Sequence, residues 1–206
     1  REFLKTSIKK EIRGKYKGSF LGILWSFVNP LLMVLVYAIV FPFILRVQEE
    51  KYLIFLIVAT IPWTFFTNCI SQGTTTVIGN GGLIKKVYFP RAILPISVVT
   101  SGLINFLISC IIIFLFLIFS GVGFSIYIFL LPIIIIIEYI LILSFVFVLS
   151  AINVYVRDVE YIMNFVIMML FYATPILYSF TLIPEKLRMI FNFNPMAHII
   201  NAYRDV

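Results

Sequence analysis

Residues Arg13–Leu45 read RGKYKGSFLGILWSFVNPLLMVLVYAIVFPFIL, passing from basic to apolar without a break. Between Lys17 and Arg46 lie 28 residues with no Asp, Glu, Lys, Arg or His. A helix needs only about 20 apolar residues to cross a bilayer, so this segment spans a membrane with residues to spare. The surplus is absorbed by tilt, or by seating the first turns, Ser19 to Trp25, at headgroup level, where tryptophan is favoured. Trp25 then marks the cytosolic interface.

Working outward from that span, the whole composition agrees with it. The chain is 62% hydrophobic and 12% charged, with a mean hydropathy of +1.11. So few charged side chains cannot cover a soluble domain of 206 residues, and the class is an all-α integral membrane protein. The net charge of +7 does not point to nucleic acid, because the basic residues gather at the ends of apolar runs, where anionic lipid headgroups attract them. Cys69 and Cys110 sit inside apolar runs without CxxC spacing and read as small buried hydrophobes. The chain begins with Arg and no cleavable signal pattern precedes the first span, so further native residues are expected upstream.

Ahead of the first span, Leu4, Ile8, Ile12 and Tyr16 recur at i+4 among Lys5, Lys9, Lys10, Arg13 and Lys17. That is a basic amphipathic helix lying in the interface, its lysines reaching toward phosphates. Beyond it, Arg46–Lys51 is a polar turn, and the apolar run from Tyr52 to about Ile70 is a second span that can continue to Ile78. The hydroxyls of Ser71, Thr74, Thr75 and Thr76 face either a neighbouring helix or a polar cavity. Asn80, Gly81 and Gly82 are expected to break the helix before the basic, aromatic loop Leu83–Arg91. Between Ala92 and Val156 Glu138 is the one formally charged residue, and the break SGVG at 120–123 divides the run into spans at about Ile93–Phe119 and Phe124–Ile152. The loop Asn153–Glu160 leads to a fifth span, Tyr161 to about Tyr178. From Phe180 to Val206 the apolar pieces are too short to cross and read as interfacial or re-entrant helices.

The predicted fold is thus one domain over 1–206, with an interfacial helix (1–17), five transmembrane spans (18–178) and short external helices (179–206). Eleven of the 16 Lys and Arg fall on the inner segments if the N-terminus is cytosolic, which fixes the orientation. Five spans leave Val206 outside, so a sixth helix is expected beyond it.

The chain has no GxxxxGK[ST], so it cannot cradle ATP in the P-loop manner, and any ATP energy must come from elsewhere. One histidine, His198, and one carboxylate inside a span, Glu138, form neither a metal cluster nor a proton relay, so no catalytic or metal residue is assigned. Glu138 is either a functional group or a neutral, hydrogen-bonded packing residue; His198 reads as an interfacial residue. Asp158 and Glu160 are too few to define a metal site and are expected to pair with Arg157 or nearby bases. Pro30, Pro42, Pro62, Pro95, Pro132 and Pro175 fall in or beside the spans, where each removes a backbone donor and invites a kink. Aromatic side chains near the ends of the second and fifth spans, Trp63, Phe66, Phe171, Tyr172 and Tyr178, are candidates to line a path for sugar, whose apolar faces stack on rings.

Three stretches together resemble the membrane subunit of ABC-2 type polysaccharide exporters, the permeases for O-antigen, teichoic acid and capsular glycans. They are RGKYKGSFLGILWSFVNP, with Arg13, Tyr16, Ser19, Leu21, Gly22, Trp25 and Pro30; KKVYFPRAILP, with Phe89, Pro90, Arg91 and Pro95; and NVYVRDV, with Asn153, Arg157 and Asp158. TPILY at Thr174–Tyr178 and the pair Asn194–Pro195 follow in order. The resemblance implies a half-transporter that is not itself an enzyme. Two copies form a pathway in the bacterial cytoplasmic membrane, and separate nucleotide-binding subunits carry ATP and Mg, with no cofactor on this chain.

It further implies that Lys85, Lys86, Tyr88, Phe89, Pro90 and Arg91 form the loop contacting the ATPase, with Arg157, Asp158 and Glu160 as a second cytosolic contact. The short helices of 180–206 would act as an external gate. The implied cargo is a glycan on a polyprenyl pyrophosphate, and Lys9, Lys10, Arg13, Lys15, Tyr16 and Lys17 are suited to hold that pyrophosphate at the inner leaflet. An exporter of a drug or free lipid, and a membrane enzyme acting on polyprenyl-linked sugars, are the alternative readings.

Overall fold

The computed structural model describes residues 2–16, 18–45, 52–119, 126–179, 184–185 and 191–206. Among them every regular element is helical: α1 (Glu2–Tyr16), α2 (Trp25–Leu45), α3 (Tyr52–Gly79), α4 (Gly81–Lys86), α5 (Ile93–Phe119), α6 (Leu131–Tyr155), α7 (Val159–Tyr172) and α8 (Pro195–Asp205), with 3-10 turns at Gly22–Leu24 and Ile126–Leu130. Three helical stretches are long and apolar enough to cross a membrane, Tyr52–Lys86, Ile93–Leu115 and Tyr127–Tyr155. α2 has 21 residues and no charged side chain, near the length a span needs. The protein is an all-α integral membrane protein.

α3 is the hub. It packs against α2, α5, α6, α7 and α8, and most of its side chains are buried, from Leu56 and Ile57 through Phe65, Phe66 and Ile70 to Thr76. A helix apolar on every side is expected to lie inside a bundle, and α3 does. α6 is two-faced. Ile135, Glu138, Ile142 and Val146 point inward at helical spacing, while Ile133, Ile136, Ile137 and Ile140 are exposed. Large apolar side chains exposed in register like this make the outer surface of a bundle solvated by lipid.

Several expected boundaries shift for local reasons. α5 occupies the expected Ile93–Phe119. α2 starts at Trp25, because Gly18 (φ +81°) and Gly22 (φ +51°) turn the chain through left-handed backbone first. Gly81 and Gly82 do not end helical structure: α3 closes at Gly79, Asn80 caps the turn by donating Nδ2 to the Thr76 carbonyl at 2.9 Å, and both glycines begin α4. The α-helical part of the fourth span, α6, begins at Leu131 after the 3-10 turn Ile126–Leu130, with Pro132 in its first turn, where no backbone donor is needed. Pro95 sits likewise in the first turn of α5. The fifth apolar helix is the largest departure. α7 stops at Tyr172, and Ala173–Tyr178 forms turns and bends, so its 14 residues rise only about 21 Å against a core of about 30 Å. The expected turn at 46–51, the SGVG break at 120–123 and much of 180–190 lie outside the described residues.

The hydroxyl-rich end of α3 packs against neighbouring helices, but the Thr74 and Thr75 hydroxyls donate to the Ile70 and Gln72 carbonyls of α3 itself. Gly73 lies against Val146 of α6, Asn153 of α6 donates Nδ2 to the Thr74 carbonyl at 3.0 Å, and Ser71 reaches Asn164 of α7 at 3.5 Å. Pro30 lacks the N–H that would bond the Ser26 carbonyl, and Ser109 of α5 supplies a donor there at 3.0 Å. Thus a proline inside α2 becomes a tie between two helices.

Candidate functional site

Segments far apart in sequence meet at one end of the bundle. α1 lies across the start of α5, its buried Ser7 donating to Ser97 Oγ at 3.3 Å. Lys10 donates to Asn80 Oδ1 at 2.9 Å, tying α1 to the turn between α3 and α4, and Phe3 packs on Phe89 with ring centroids 4.5 Å apart. The apolar stripe of α1 is therefore partly covered by protein. Of the expected ATPase-contact loop, Phe89 is half-buried under α1, while Lys85, Lys86, Tyr88, Pro90 and Arg91 are exposed. Val87 leaves α4 in extended backbone, and the Pro90 and Arg91 carbonyls accept from Ile93 and Leu94 to start α5. The three cations of this loop make no ion pair with any described residue.

The α6–α7 turn falls at the same end, since Asn153 and Asn164 flank it and both reach the last turns of α3. Arg157, Asp158 and Glu160 are exposed there. The expected pairing of Asp158 and Glu160 with Arg157 is not formed; Asp158 opens α7 through its carbonyl, which accepts from Ile162 at 3.0 Å. Of the residues suited to a pyrophosphate, Lys9 and Arg13 are exposed and Lys10 is engaged with Asn80. Lys15, also exposed, lines a cavity between α2, α3 and α5, and partial desolvation lowers its pKa below the ordinary lysine value. The side chain of Tyr16, and Lys17, lie outside the described residues.

The aromatic candidates form a cluster on α3, α6 and α7. Trp63 packs on Phe66 and Phe171 at 5.5 and 5.9 Å, and Phe66 meets Phe145 edge-on at 6.3 Å. Trp63 and Phe66 are buried within this chain, Phe171 is half-buried, and Tyr172 is the most exposed of the five. Tyr178 donates to the Tyr172 carbonyl at 2.6 Å and its ring meets Phe191 at 6.4 Å.

The opposite end is fastened by α8. Asn194 caps it, accepting from the Met196 N–H at 3.0 Å while donating to Thr174 Oγ1 at 2.8 Å and to the Ala173 carbonyl at 3.2 Å. Arg204 donates to the carbonyls of Pro175 and Ile176 at 2.6 and 2.8 Å, and its guanidinium lies 3.4 Å over the Phe55 ring. Burial pushes its pKa down to about 10, still far above neutral, so this clasp stays charged. Tyr203, one residue earlier, donates to Glu138 Oε2 at 2.8 Å. Glu138 is fully buried and its Oε1 has no hydrogen-bond partner among the described residues. His198 is exposed beside the Asn192 carbonyl at 2.9 Å. Sequence reasoning singled out Thr174, Asn194 and Glu138 but missed Tyr203 as the partner of Glu138 and Arg204 as the clasp on the Pro175 and Ile176 carbonyls. The available signal was the pair Tyr203–Arg204 on the last turn of an amphipathic helix whose Met196, Ile199, Ile200 and Tyr203 recur on one face.

Residues 2–206 match the family described as ABC-2 type transporter. The O-antigen export system permease protein RfbA of Klebsiella pneumoniae is 35% identical over 198 residues, 96% of this chain and 76% of that protein. A protein of the same name from Myxococcus xanthus is 31% identical over 208 residues, 100% of this chain and 80% of its own length.

Proposed function

The chain belongs to the ABC-2 type transporter family, and from that premise we propose that it is the membrane subunit of an ATP-driven exporter of a lipid-linked polysaccharide. The cargo is of O-antigen, teichoic acid or capsule type, and the barrier is the bacterial cytoplasmic membrane. Two copies enclose the pathway, and ATP and Mg are held by separate nucleotide-binding subunits. The observation that carries this reading is the end of the bundle where α1, the α4–α5 loop and the α6–α7 turn converge. Lys85, Lys86 and Arg91 stand there exposed beside Tyr88, with no ion pair to any described residue, on a loop fastened by Phe89 under α1. A chain without a P-loop needs a partner that supplies force, and a stiff cationic surface suits an acidic one. With the N-terminus cytosolic, that surface faces the cytosol and α8 faces outward.

The relatives' names support the polysaccharide cargo. Deletion of the gene in its host, with surface glycan and cytosolic-leaflet lipid-linked glycan assayed together, tests the reading. Loss outside with accumulation inside is the expected result. Loss of both pools would instead mean a role in synthesis, and an unchanged surface would reject a glycan cargo.

A further inference from the structure

Between α2, α3 and α5, under the end of α1, lies a cavity of about 240 Å³. It opens to the outside of the protomer, where Lys15, Asn29 and Asn68 are exposed, and its wall is unusually polar for the flank of a membrane bundle. Asn29 of α2, Asn68 of α3 and Asn105 of α5 bring three carboxamides to it, with Lys15 and Trp25 also in the wall. Asn105 is held in place, accepting from Ser26 Oγ at 3.2 Å. Lys15, Asn29 and Asn68, by contrast, make no hydrogen bond with any described residue. Polar groups in a bundle surrounded by lipid are costly unless something satisfies them, and here they converge on one space from separate helices.

We infer that this cavity binds the phosphosugar head of a lipid, the phosphate on Lys15 and one sugar ring on the carboxamides of Asn29, Asn68 and Asn105. This rests on the exporter reading given above and adds to it a site inside a single protomer. Carboxamides both donate and accept, which matches sugar hydroxyls, whereas an ammonium alone would select only charge. Trp25 offers an amphipathic ring beside them. The volume falls below the roughly 300–1,000 Å³ of ordinary small-molecule pockets, so it suits one sugar and not a polymer segment. Partial desolvation lowers the pKa of Lys15, and a phosphate beside it would favour the charged form. The same chemistry, phosphate next to hydroxyls, is carried by the headgroup of phosphatidylglycerol.

The test uses the full-length permease in phosphatidylcholine nanodiscs, titrated separately with a polyprenyl phosphohexose, a polyprenyl phosphate and phosphatidylglycerol. The chain has two tryptophans, and Trp63 is buried away from the cavity, so the emission change on binding should come from Trp25 and vanish in Trp25→Phe. Expected is saturable binding of the phosphohexose that N29A/N68A weakens about tenfold or more, with little change for the polyprenyl phosphate. Lys15→Met should weaken both. Asn68→Phe, which fills the cavity without depending on lost hydrogen bonds, should abolish the response in protein whose thermal unfolding matches wild type. Equal affinity for phosphatidylglycerol would overturn the proposal in favour of an ordinary phospholipid site. Undiminished phosphohexose binding in N29A/N68A or Asn68→Phe would overturn it outright. Export lost on gene deletion without binding here rejects the cavity alone, and binding here without an export defect rejects the exporter reading alone.

Discussion

Glu138 shows what one residue discloses in a sequence and what it withholds. A lone carboxylate in an apolar run of 65 residues announces that it needs a partner. It does not announce Tyr203, which lies 65 positions away on a helix whose docking no local pattern specifies. The pair sits on the bundle's interior, with the Tyr203 ring edge-on to Phe106 at 6.2 Å. Tyr203→Phe removes the donor and leaves a buried acceptor bare, which costs about 1–3 kcal/mol. Glu138→Leu strands the tyrosine hydroxyl at a similar cost, but the double variant leaves no polar group unsatisfied. Thermal unfolding of the four proteins in one detergent should therefore give a double variant clearly more stable than the sum of the singles predicts. Additive losses would mean that the hydrogen bond does not hold α8 to α6.

Hydropathy located most of the helices, because length and charge-free composition are what a bilayer selects. It found α5 to the residue and missed where α7 ends, since Thr174, Pro175 and Ile176 are apolar enough to pass for helix while their carbonyls and hydroxyl bond to α8. Contact between elements was less legible. Gly73 and Gly102 look incidental in sequence, yet a Cβ on Gly73 would run into both methyl groups of Val146, and one on Gly102 into the Cys69 sulfur. These glycines set how closely α3 approaches α6 and α5. Gly73→Ala should thus lower stability by about 1–3 kcal/mol through overpacking, in excess of any helix propensity alanine gains. Valine is stiff at χ1 and offers little room to yield, so Val146→Ala added to it should recover part of the loss. A melting point unchanged by Gly73→Ala would show that α3 and α6 have slack here.

For the whole molecule, charge asymmetry between loops was enough to argue which end faces the cytosol, but not that α1 lies on the α4–α5 loop. That junction is made by Phe3 on Phe89 and by Lys10 on Asn80, contacts across 70 residues or more that have no periodic signature. Its consequence is that Lys85, Lys86 and Arg91 project from a braced surface and not from a slack loop, so force applied there reaches α3 and α5 directly. Reversing all three to Glu should leave thermal stability near wild type, because none of them makes an ion pair with a described residue. Association with the proposed nucleotide-binding subunit, followed by co-purification at low and high salt, should weaken at low salt to the level that wild type shows at high salt. Weakening the brace with Phe3→Ala is the informative contrast. It leaves the charges in place, so association should survive while ATP-driven export falls, whereas loss of association in both variants would mean that α1 is itself the docking surface.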